Sequence, residues 1–165
     1  MRSSRFVPML VLSLLVAVVE ARATTFVPIT TADLARHSDR VLVGTVVGTE
    51  ARWERGRIVT RVVLRSEEAN ELVSFEHPGG TVGGVTMRVI GMPSFVARER
   101  VVVMVVGRYA KLRLVGLADG KLAVERRDGT DVVMMRVRND GPAEPVSLHD
   151  GLRTLRAAAR ASFTN

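Results

Sequence analysis

The sequence predicts a mostly β domain, a small antiparallel barrel or sandwich with a short N-terminal helix and a C-terminal amphipathic helix. Three observations carry this. A long apolar alternation folds back on itself between Arg40 and Glu68, Asp-Gly pairs punctuate the second half, and a period of three to four residues emerges only after Ser147.

From Arg40 onward Val41, Val43, Thr45, Val47 and Thr49 share one side, and Leu42, Gly44, Val46 and Gly48 the other. Ile58, Thr60, Val62 and Leu64 then alternate with Arg57, Val59, Arg61, Val63 and Arg65, which gives the return arm an apolar and an arginine-bearing face. Glu54-Arg55-Gly56 is the turn between the arms. Gly44 and Gly48 inside a β-branched run mark either a bulge or bend, or close packing against a helix.

The rest of the chain reads in order. Thr30 or Thr31 caps a brief helix over Ala32 to His37, with Asp33 in its first turn. Leu72 to Glu76 and Val85 to Val89 are expected strands around the glycine pairs Gly79-Gly80 and Gly83-Gly84. No Gly-Lys-Ser/Thr follows these glycines, so they read as a connection and not as a phosphate cradle. Arg100 to Val106 suits a strand buried on both faces. Lys111 to Leu117, Lys121 to Arg126 and Asp131 to Arg138, separated by Asp119-Gly120 and Asp128-Gly129, predict a three-strand meander. Gly141 to Pro145 reads as a linker closing a barrel domain of residues 24–140. Beyond it Ser147 and Asp150 form a variant capping box, and Leu148, Leu152, Leu155 and Ala159 form the apolar stripe of a helix reaching Ala161.

Arg2 and Arg5, the apolar run Phe6 to Val19 and the small residues of Ala21-Arg22-Ala23 have the layout of a secretory signal peptide over residues 1–23. Cleavage after Ala23 would leave an exported chain, periplasmic or extracellular, with no membrane span. The 165 residues suffice for one such domain, and the absence of cysteine excludes disulfides, thiolate-bound metals and a thiol nucleophile.

Chemistry-bearing patterns are few. The three histidines, His37, His77 and His149, share no ligand spacing, so no intrinsic metal site is expected. There is no nucleophile elbow and no cofactor motif. Glu67, Glu68 and Glu71 form a carboxylate cluster of the type acid–base work requires, but neighbours at a strand exit diverge. Trp53 beside Arg52 and Arg55 is the one stacking cluster, too little for a nucleic-acid surface. With a formal charge of +7, an arginine face of Arg57, Arg61, Arg65, Arg136 and Arg138 could hold anionic envelope polymers. The expected function is therefore a non-enzymatic binding module without cofactor.

Thr25, Val27, Pro28, Ser38, Asp39, Val41, Val47, Gly48 and Thr49 also match, without a gap, residues of the N-terminal segment of the tissue inhibitors of metalloproteinases. Residues 24–49 thus resemble that netrin-like family. The strand and glycine-pair pattern is similar as well to exported bacterial β-barrel proteins. The first resemblance implies a barrel of the oligonucleotide/oligosaccharide-binding type and a zinc metalloprotease as partner. It implies that the α-amino group and carbonyl of Thr24 chelate the protease's zinc while Thr25 enters the neighbouring pocket. Thr24, Phe26 and Arg36 stand where the family has cysteines, so the staples that hold that N-terminus are missing.

Overall fold

The computed structural model describes residues 29–108 and 111–161. The proposed leader, Thr24 and Thr25 lie outside the described residues. The described chain forms ten strands, a short helix before them and a longer helix after them. No helix among the described residues is long and apolar enough to cross a membrane.

Helix α1 (Thr31–Ala35) is capped by Thr30, whose Oγ1 accepts from Asp33 N at 2.9 Å. Strand β1 (Arg40–Glu54) then runs for 15 residues and turns through Arg55-Gly56 into β2 (Arg57–Ser66). Both turn residues have positive φ, 49° and 79°, as a two-residue turn matched to strand twist requires. Next come β3 (Leu72–Pro78), the ribbon of β4 (Gly80–Val82) and β5 (Val85–Met87), then β6 (Arg100–Val106) and β7 (Leu112–Leu114). A 3-10 turn (Leu117–Gly120) leads to β8 (Lys121–Arg127), β9 (Thr130–Arg136), β10 (Ala143–Ser147) and helix α2 (Leu148–Ala161).

The main sheet has the order β1-β2-β3-β7-β6-β8-β9-β10, and β1 also pairs with β6. Pairing therefore passes from β1 through β2, β3, β7 and β6 and returns to β1. Strand β7 meets β3 and β6 through only two residue pairs each, so the ring is barrel-like and not closed. The β3–β7 pairing is parallel, so the sheet is mixed while remaining mostly antiparallel, in keeping with the barrel read from the sequence.

Gly44 is where β1 serves both neighbours, opposite Ser66 of β2 and Val101 of β6. A Cβ there would sit 2.1 Å from the Arg65 carbonyl oxygen, so close strand approach demands glycine. The bulge lies beyond it, where the register slips between Val46 and Gly48 and leaves Val47 over. The expected bulge is present beside Gly48, whereas the close packing at Gly44 is against the backbone of β2 and not against a helix.

Alternation divides the core in two. Leu42, Val46, Val62, Leu64, Phe75 and the odd-numbered valines of β6 pack inside the ring. Val41, Val43, Val102 and Met104 face the other way and are covered by Leu34, Leu148, Leu155 and Ala159 of the helices. After Arg100, strand β6 is apolar to its end because it serves both clusters. The α2 stripe buries Leu148, Leu155 and Ala159 as its spacing predicted, and Ser147 caps it, accepting from Asp150 N at 3.1 Å.

The structure corrects four elements. Asp119-Gly120 is no hairpin: it ends a 3-10 turn, and β7 does not pair with β8, so no three-strand meander of these segments exists. Gly120 is required by proximity, since a Cβ would fall 1.6 Å from the Val115 carbonyl oxygen. Residues 143–147 are not linker but β10, paired with β9, so a domain boundary at 140 would cut the sheet. Pro145 is tolerated because β10 is the last strand in the order and its missing N–H leaves no partner wanting. Helix α1 stops at Ala35, two residues early, and β5 pairs with β4 alone.

Candidate functional site

Arg57, Arg61 and Arg65 do project together from the outer face of β2, all exposed. Their partners in register alternate the charge: Glu54 stands opposite Arg57, and Glu50 and Glu76 flank Arg61 from either side. Arg61 also donates to Ser74 Oγ at 3.0 Å. Arg52, one row over, donates to Glu76 at 2.7 Å and to Glu54 at 3.3 Å. This face is a mixed-charge lattice. Arg136 and Arg138 do not join it, because β9 is reached from β2 only across β6 and β8 or around the ring. Arg136 sits 3.8 Å from Asp119, and Arg138 pairs with Asp140 at 3.2 Å.

The three carboxylates at the β2 exit go to three different arginines. Glu67 takes two hydrogen bonds from Arg100, Glu68 pairs with Arg156 at 2.6 Å, and Glu71 lies 3.8 Å from Arg40. Carboxylates so divided do not converge on one bond, which acid–base work at a shared substrate requires. Trp53 is 52% exposed beside Arg52, whose guanidinium is already engaged by Glu54 and Glu76. Among the described residues no group of three or more His, Asp or Glu could hold a metal ion.

His37 contacts the Asp33 carbonyl oxygen and His149 flanks Asp150, both at helix ends. His77 differs, for it is buried at the end of β3. Its Nδ1 lies 3.0 Å from the Pro78 carbonyl oxygen, and since that oxygen can only accept, Nδ1 donates. Burial pushes the His77 pKa below the usual histidine value and so favours the neutral ring, which leaves Nε2 as a lone-pair acceptor.

His77 stands at the floor of a feature that sequence reasoning missed, a cleft of about 610 Å³. The strands contribute Thr49, Thr60, His77 and Met87, and the segment after β5 contributes Ile90, Met92 and Phe95. Phe95 ties that segment to the barrel: its ring lies edge-on to Phe75 at 5.3 Å and tilted over His77 at 5.6 Å, with Lys121 Nζ 4.9 Å from its centre. Gly80 lets β4 lie low across the ring, since a Cβ there would come within 2.4 Å of Thr60 Oγ1. Thr60 in turn donates to the Gly79 carbonyl oxygen at 2.6 Å. The available signal was Met87 to Phe95 itself, a stretch rich in large apolar residues that lacks strand alternation and contains a proline.

A second hollow, about 150 Å³, lies where the described chain begins, between Ile29, Leu34, Ala118, Asp119, Met134 and Arg136. Comparison with known proteins finds no family model, no curated protein and no solved structure that matches this chain.

Proposed function

We propose that the chain is an exported, non-enzymatic binding module and that its partner is a zinc metalloprotease. The observation that carries this reading is the strand ring: five strands in a mixed, partly open barrel, with a long, glycine-bent β1 shared between two neighbours. That arrangement is expected of the oligonucleotide/oligosaccharide-binding type of barrel implied by the resemblance of residues 24–49 to the netrin-like inhibitors. The division of Glu67, Glu68 and Glu71 among separate arginines also favours binding over catalysis.

After cleavage behind Ala23, the segment from Thr24 to Pro28 would span at most about 18 Å when extended. The chelating amine would therefore work within that radius of Ile29, on the side of the molecule formed by α1, the 3-10 turn and β9. The chain has no cysteine, so no disulfide can staple this segment, and fixing an unstapled segment on binding costs entropy that lowers affinity relative to a stapled inhibitor. The mature chain is expected to co-elute on gel filtration with zinc-loaded metalloproteases at micromolar concentrations, and to lose the complex when the zinc is stripped. Absence of a complex with every protease of the class would overturn the reading. A complex that survives zinc removal would overturn the role of the Thr24 amine.

A further inference from the structure

We infer that the cleft at the end of the barrel is a binding site for a small amphipathic organic anion, an apolar body carrying one acidic group. This goes beyond the metalloprotease reading and does not depend on it, since the cleft and Thr24 belong to different parts of the chain.

The argument begins with size and lining. At about 610 Å³ the cleft falls in the range of small-molecule sites. One wall is Met87, Ile90, Met92 and Phe95, and methionine and aromatic side chains adapt to apolar bodies of varied shape. Ile90 is 96% exposed at the rim, an unfavourable place for so large an apolar side chain unless something covers it.

Charge selects the occupant. Among the described residues Arg88 is the one ionic side chain that lines the cleft, and no carboxylate does. Arg88 is exposed and forms no ion pair among the described residues, unlike Arg52 or Arg100. Lys121, which lies over Phe95, is already held by Glu99 at 2.6 Å and by the Ser94 carbonyl oxygen at 2.7 Å. The cleft thus offers an apolar wall with a single uncommitted positive charge. His77 adds an acceptor, because its Nδ1 is engaged with Pro78 and its Nε2 has no partner among the described residues. A ligand that also carries one N–H or O–H donor satisfies it.

Anilinonaphthalene sulfonate has all three features, an aromatic body, one acid and one N–H, and phenylnaphthylamine is its counterpart without the acid. Fluorescence titration of the whole chain with each dye tests the site. The sulfonate is expected to bind saturably at one site and to be displaced by decanoate more effectively than by decanol. Arg88→Gln is expected to weaken the sulfonate dye about five- to tenfold, the effect of losing one charge-assisted contact, and to leave the neutral dye unchanged. Ile90→Asp is expected to weaken both dyes. Both positions are exposed, so an unchanged melting temperature will show that the fold is intact. Non-saturable binding, an equal effect of Arg88→Gln on the two dyes, or no effect of either substitution in the folded protein would overturn the inference.

Discussion

Arg100 of β6 holds the Glu67 carboxylate at the exit of β2 in a two-pronged pair, Nε to Oε1 at 2.5 Å and Nη2 to Oε2 at 2.8 Å. Its remaining nitrogen donates to Asp131 of β9. One guanidinium therefore ties the ring to the strands that extend it, and these two carboxylates raise its pKa well above the ordinary arginine value. Replacing it with Gln removes the cation that Glu67 and Asp131 share and leaves Asp131 only the longer pair with Arg126 at 3.6 Å. Arg100→Gln is expected to lower stability by about 1–2 kcal/mol, a figure already reduced for the partial exposure of the pair. Thermal unfolding in low salt will measure it, and molar salt should shrink the difference because screening weakens the intact pair more than the broken one.

The glycine pair of β1 separates contact from conformation. Gly44→Ala drives a methyl group into the Arg65 carbonyl oxygen at the strand crossing and is expected to cost about 3 kcal/mol or more. Gly48→Ala meets nothing within 4 Å and keeps ordinary strand angles, so it should be neutral or slightly stabilising. Denaturant unfolding of the two variants should show midpoints far apart, and similar midpoints would contradict the close approach at Gly44.

The turn of the central hairpin is occupied by the wrong residue for its shape. Arg55 has φ of 49°, a left-handed conformation that asparagine tolerates far better than arginine. Arg55→Asn should stabilise the protein by about 0.5–1 kcal/mol, seen as a raised melting temperature.

Acid should unfold the protein in two stages. Burial lowers the His77 pKa, so the unfolded chain binds the proton more readily and stability falls as pH drops below the ordinary histidine range near 6.5. Asp131 and Asp150 have pKa values lowered by hydrogen bonds from Arg100 and Ser147, so their contribution is present above the ordinary carboxylate range and is lost below about pH 4. A melting-temperature profile should therefore decline at both windows. In His77→Gln the upper decline should vanish while the lower one remains.

Local order accounts for which parts of this fold could be read from the chain. The β1–β2 hairpin shows in alternation and a turn of Arg55-Gly56, β6 in its unbroken apolar run, and α2 in a stripe with Ser147 at its start. Each of these signals lies within a few neighbouring residues. The β3–β7 pairing joins Phe75 to Leu112, far apart in sequence and only two pairs long, so no local pattern announces it. Asp119-Gly120 resembled Asp128-Gly129, yet only the second has positive φ at both residues. Pro142 and Pro145, on either side of Ala143-Glu144, disguised β10, since nothing in the sequence marks an edge strand that can spare a donor. The arginine face was legible on β2, but its charge balance depends on Glu50 and Glu76, which only the register brings alongside Arg61. The cleft escaped for the same reason: His77 and Phe95 meet through folding.

The amino group of Thr24 is the atom on which the proposed function turns. The most direct measurement compares inhibition of a zinc metalloprotease by two purified chains, one beginning at Thr24 and one at Ala23. The first should slow the protease at micromolar concentration, and the second, whose added residue moves the amine away from Thr24, should lose most of that effect. Equal inhibition by both chains, or none by either, would contradict the assignment.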